Sequence, residues 1–106
     1  MADSAKIEHI RGNVRSRQLL FTAHARQEMG SENFTFEDIE SGLMTGEIIE
    51  DYPHHQRGAC CLINGRTPSG RPIHIVCTTH NTPTIVITVY EPKPPKFETP
   101  TKRSKR

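Results

Sequence analysis

The sequence predicts an α+β fold, with N-terminal helices packed on one face of a four-stranded antiparallel sheet. Three observations predict it. Helical spacing of apolar residues is confined to the first 45 or so positions. Two-residue alternation dominates from residue 47 to residue 90. The strand segments are joined by short connections with no helix between them, so the βαβ rhythm of a parallel sheet is excluded.

Residues 1–18 read as a helix in which Ile7, Ile10 and Val14 form one narrow stripe. Asp3 or Ser4 can cap it, and Gly12 weakens it by about 1 kcal/mol. Thr22 reads as the N-cap of a short helix from Ala23 to Met29, with Ala25 and Met29 on one face and Gly30 as the stop. Thr35 and Asp38 form a capping box that opens a helix to about Met44. Phe36, Ile39 and Leu43 line its buried side, and Gly46 ends it.

Four strands follow. Residues 47–52 form the first, stopped by Pro53, and residues 58–64 the second. A Gly- and Pro-containing loop at 65–70 leads to strands at 72–79 and 84–90, which are β-branched and alternating. After Pro92 the composition turns Pro-rich and basic. The chain therefore divides into an N-terminal helical extension (1–20), an α+β domain (21–92) and a disordered basic tail (93–106).

Charge is segregated along the chain. Residues 93–106 carry six Lys/Arg and one Glu, whereas residues 1–92 carry eight Lys/Arg and eleven Asp/Glu. Eight acids and no Lys or Arg lie between Gln27 and Asp51. From Tyr52 to Tyr90 there are three arginines, four histidines and no acid. That stretch suits a surface that meets an anion, although β-propensity alone also keeps acids out of strands. No apolar run is long enough to span a bilayer, and no charged n-region followed by an apolar h-region opens the sequence, so secretion is not expected. Cys60, Cys61 and Cys77 do not make a disulfide framework. A reducing, cytoplasmic location without a membrane partner is expected.

Placing the apolar sets of the last two strands together pairs Ile75 with Ile87 and His74 with Thr88. The opposite face then reads His74, Thr78, Thr88 and Tyr90, with Val76 and Val86 between them and Arg71 at its flank. An imidazole, a hydroxyl and a phenol on one sheet face suit an anion or a phosphodiester. His24 lies in the first turns of a helix, where the macrodipole favours the neutral, base-competent imidazole, and Arg26 and Glu28 flank it. Each residue also has a purely structural reading, as a surface histidine, a strand former or an edge cover. The spacing His74-x-x-Cys77-x-x-His80 resembles a ligand set, but on a strand Cys77 points away from the histidines. No metal and no cofactor are expected. Cys77 falls on the apolar face, which argues against a cysteine nucleophile, and no P-loop or GxSxG motif is present.

Three segments carry a resemblance: FTAHARQEM, FEDIESGLMTGEIIEDYP and GRPIHIVCTTHNTPTIVITVYEP. Over about Phe21 to Pro92 they resemble the small bacterial family known as domain of unknown function 4258. The resemblance implies the size and fold of the RelE-like ribonuclease toxins, which cleave RNA without a metal and pair with small antitoxin proteins. It carries the family's polar positions onto His24, Arg71, His74, Thr88 and Tyr90. The chain departs from the pattern at Ser31-Glu32-Asn33, where members often have an Arg-Gly pair.

Two functions are expected from these readings. In the first, RNA, including ribosome-bound mRNA, is cleaved by 2′-hydroxyl transesterification. His74 and His24 serve as base and acid with Tyr90 as a stand-in acid, while Arg71, Thr88 and Arg26 hold the substrate. In the second, the sheet face or the basic tail binds nucleic acid or a partner protein without chemistry.

Overall fold

The computed structural model of the chain describes residues 2–93, 97–99 and 102–103. Its elements run α1 (Ala2–Arg15), β1 (Leu19–Phe21), α2 (Ala23–Glu32), α3 (Phe36–Thr45), β2 (Glu47–Tyr52), β3 (Cys60–Arg66), β4 (Pro72–Thr78) and β5 (Thr84–Tyr90). The α+β class stands, but the sheet has five strands in the order β1-β5-β4-β3-β2 and is mixed. β2 to β5 are antiparallel neighbours, as expected. The fifth strand, β1, runs parallel to β5, with Leu19 opposite Thr84 and Phe21 opposite Val86. Three residues are too few to show a period, which is why β1 escapes a reading of the sequence.

Much of the expected basic tail lies outside the described residues. Within it, Phe97–Thr99 (β6) and Lys102–Arg103 (β7) pair with one another as a separate two-stranded sheet. No helix among the described residues is long and apolar enough to cross a membrane.

The core lies between the three helices and one face of the sheet. Ile10 of α1, Ala25 and Met29 of α2, and Ile39 and Leu43 of α3 meet Cys61, Ile63, Ile73, Ile75, Cys77, Val86 and Val89. Each large aliphatic side chain buried there contributes about 1.5–3 kcal/mol. The stripe expected on α1 is in place: Ile10 is fully buried, and Ile7 and Val14 pack beside it. Polar contacts fix the same helix to the β4–β5 loop and the start of β5. Asn13 Nδ2 donates to the Asn81 carbonyl and to Thr84 Oγ1, both at 2.9 Å.

Two local expectations change. α2 does not stop at Gly30 but continues to Glu32, and Asn33 takes the left-handed capping conformation at φ 58°. Asn tolerates that region through its short polar side chain. Phe36, expected on the buried side of α3, is 50% exposed and meets Phe21 edge to face at 5.0 Å. The capping box of Thr35 and Asp38 forms as expected.

α3 lies directly on the sheet because glycines meet at the contact. A Cβ at Gly65 would collide with the backbone carbonyl of Gly42, and one at Gly42 would meet Ile73 Cγ2 at 2.7 Å. The Gly65 obstacle is backbone and cannot rotate away. Gly65→Ala is therefore expected to destabilise the protein by about 3 kcal/mol, the upper end for an overpacked core. A lower denaturant midpoint at unchanged slope is the expected readout, and an unchanged midpoint would show that α3 can lift off β3 without cost.

Candidate functional site

The face of the sheet turned away from the helices is ordered in rows. β2 pairs with β3, β3 with β4 and β4 with β5, so residues opposite one another line up across four strands. The first row is Glu47, Asn64, His74 and Tyr90. Glu50, Leu62, Val76 and Thr88 form the second. Tyr52, Cys60 and Thr78 begin a third.

Two irregularities set this alignment. A bulge in β2 between Ile48 and Glu50 lets Ile48 join the core while Glu50 faces away from it. A second bulge, between Val76 and Cys77 on β4, leaves Ile87 as the extra residue of β5. It corrects the expected register: His74 faces Tyr90 rather than Thr88, and Ile75 faces Val89 rather than Ile87. A two-residue slip keeps alternate side chains on their face, so His74, Thr88 and Tyr90 still share one side. Val86 does not stay with them, because the bulge turns it toward Cys77 and the core.

His74 and Tyr90 are in contact. Nδ1 of His74 lies 3.3 Å from the Tyr90 hydroxyl, and the rings meet edge to face with centroids 5.3 Å apart. His74 is fully buried, as are Leu62, Cys60 and Thr78 on the same face, while Tyr90, Thr88 and Asn64 are half-buried. The face was expected to be free of acids. The pairing of β2 with β3 brings Glu47 and Glu50 onto it, and Tyr52 donates its hydroxyl hydrogen to Glu50. The sequence reading missed Glu47, Glu50 and Asn64. The EIIEDY strand signals a carboxylate beside β3, but the bulge that brings both Glu47 and Glu50 to the His74 face has no marker in the sequence.

The remaining expected site residues lie elsewhere. His24 is the second residue of α2, and its Nε2 lies 3.3 Å from Glu28 Oε1. That carboxylate accepts the Val89 backbone N–H at 3.0 Å, and one turn on, Glu32 accepts the Glu91 N–H at 3.2 Å. A helical turn of 5.4 Å nearly matches two strand residues, so α2 lies along β5 where β1 has ended and covers its edge donors. Arg26 holds its guanidinium over Phe21 and Phe36, at 6.0 and 5.8 Å from the ring centres. Arg71 stacks on Phe34 at 3.9 Å, pairs with Glu91 at 2.5 Å and donates to the Glu32 carbonyl at 2.7 Å. It clasps the end of α2 to the end of β5. Arg71→Ala is accordingly expected to cost about 1–2 kcal/mol of stability, a value reduced for its partial exposure. A melting temperature equal to the wild type would free Arg71 from this structural role.

Cys61 and Cys77 face one another on the core side, so Cys77 cannot converge with His74. Donation of its S–H to Cys61 and full burial hold the Cys77 thiol well above its ordinary range, and burial raises Cys60 as well. A thiol whose pKa is raised by folding stabilises the fold below its unfolded pKa. That stability is lost as pH rises, because the unfolded chain releases the proton first. Melting temperature is thus expected to fall above about pH 9, where free thiols ionise, and native protein to resist alkylation at pH 8.5. Rapid modification of Cys77 in folded protein would contradict this.

The model of a domain of unknown function, DUF4258, matches residues 21–91. The chain belongs to the DUF4258 family. The matched span holds every strand of the four-strand rows together with α2 and α3, whereas α1 precedes it and still supplies Ile10 to the core. No curated protein and no solved structure matches the chain.

Proposed function

We propose that this DUF4258 chain is a metal-independent endoribonuclease of the RelE-like toxin kind, acting in the cytoplasm and held in check by a small antitoxin protein. The observation that carries the reading is the His74–Tyr90 pair on the helix-free face, in one row with Glu47. With Nδ1–H donated to the Tyr90 oxygen, Nε2 of His74 keeps its lone pair. Nε2 then takes the 2′-hydroxyl proton of RNA as the 2′-oxygen attacks the adjacent phosphorus. Tyr90 gives its hydroxyl proton to the departing 5′-oxygen and receives the Nδ1 proton in exchange. The products are a 2′,3′-cyclic phosphate and a 5′-hydroxyl. Thr88, in the next row, donates to a phosphate oxygen in this reading.

A second reading, a module that binds nucleic acid or a partner protein without chemistry, is favoured by the full burial of His74 and by the engagement of Arg71 with Glu91. Incubating the purified protein with ribosome-bound and free RNA, in the presence of a chelator, tests the two. Cyclic-phosphate ends support the nuclease, and intact RNA bound by the protein supports the binding module.

A further inference from the structure

Among the described residues, the Oδ1 atom of Asn64 is buried and has no hydrogen-bond partner. A buried acceptor left unpaired loses its hydration and gains nothing, so natural folds keep few of them. Asn is also a poor strand residue. The same face of the same strand carries a fully buried Leu62, the kind of side chain the fold alone would place there.

The neighbours in the row explain why the acceptor stays unpaired. Glu47 lies opposite on one side, and an ionised carboxylate only accepts. His74 lies opposite on the other side, its Nδ1 directed to Tyr90. With Nδ1 carrying the proton, Nε2 is an acceptor too. Neither neighbour in the row, then, supplies the missing donor.

We propose that Asn64 reads the nucleobase beside the cleaved bond, its Oδ1 accepting a hydrogen bond from an exocyclic amino group. The assignment rests on the nuclease reading for its ligand, RNA. A phosphate offers only acceptors, and the 2′-hydroxyl has one proton, which goes to His74. The donors that remain lie on the base edge, as ring imino N–H groups and exocyclic amino groups, and the amino group is the one that can serve two acceptors. It has two protons, which suits a site where the Asn64 amide oxygen and the Glu47 carboxylate stand side by side. Asparagine pairs with base edges in this way elsewhere, its amide oxygen taking the amino hydrogen.

The test uses the full chain and short RNA oligonucleotides whose 2′-O-methyl riboses block cleavage. Adenine oligonucleotides are compared with the same chains carrying purine, which lacks the amino group, and cytosine chains with chains carrying pyrimidin-2-one, which lacks the amino group and has no N3–H. The wild type is expected to bind the amino-bearing member of each pair at least about tenfold more tightly. Asn64→Leu is expected to erase that preference while keeping or raising the melting temperature, because it removes an unpaired buried acceptor. Equal binding of both members by the wild type overturns the proposal, and this comparison needs no variant. A marked loss of stability in Asn64→Leu with the preference intact also overturns it, by showing a residue kept for the fold. Base preference without any cleavage of unmodified RNA would sink the nuclease chemistry and leave Asn64 standing. Cleavage without base preference would do the reverse.

Discussion

Replacing His74 with Ala is expected to lower RNA cleavage by at least about 100-fold, the lower range for losing a general base. His74 is fully buried, so the Ala variant also loses packing. His74→Gln keeps volume and polarity without an imidazole and should fail in the same way while melting closer to the wild type. Tyr90→Phe retains the edge-to-face contact and removes only the hydroxyl. A loss of similar size there would place the phenol in the proton path rather than in packing alone. His24 pairs with Glu28 at the β5 edge, whereas His74 meets Tyr90 on the helix-free face. His24→Ala is accordingly expected to leave the rate near that of the wild type. Comparable losses at His24 and His74 would restore the two-histidine mechanism that the sequence suggested.

The second large effect concerns affinity. Residues 1–92 carry eight Lys/Arg against eleven Asp/Glu, and two of those acids, Glu47 and Glu50, lie on the His74 face. Attraction to a polyanion must then come largely from residues 93–106, with six Lys/Arg and one Glu. A chain ending at Pro92 should bind single-stranded RNA more weakly at low salt. Its log–log salt slope should be shallower by up to about 4, at roughly 0.7 for each of the six cations. An unchanged slope would place the whole phosphate contact on the sheet.

The order of elements and much of the polar face were legible in the sequence, and the reasons are local. The capping box at Thr35 and Asp38 announces α3 within four residues. The alternation in β4 and β5 separates His74, Thr88 and Tyr90 from the core whatever the register, because a two-residue slip preserves the faces. What local reading could not supply is long-range. β1 is three residues long and is held by pairing with β5, some 65 positions away. The bulge that turns Val86 into the core has no sequence marker such as Gly. Glu47 and Glu50, three positions apart, would fall on opposite faces of a regular strand and share this one only through the bulge between Ile48 and Glu50. Arg71 looked like a phosphate ligand because nothing near it in sequence announces Phe34 and Glu91 as its partners. The missing Arg-Gly pair at 31–33 acquires a structural side here, since Glu32 and Asn33 serve the Arg71 clasp and the left-handed cap.

The most direct test of the central claim is analysis of the RNA ends left by the purified full chain in a chelating buffer, beside the same substrate carrying a single 2′-deoxynucleotide at the cleaved position. The account predicts 2′,3′-cyclic phosphate and 5′-hydroxyl ends from the all-RNA substrate, no cut at the deoxy position, and no products from His74→Gln. Intact RNA in every lane, or cleavage that the chelator abolishes, would contradict it.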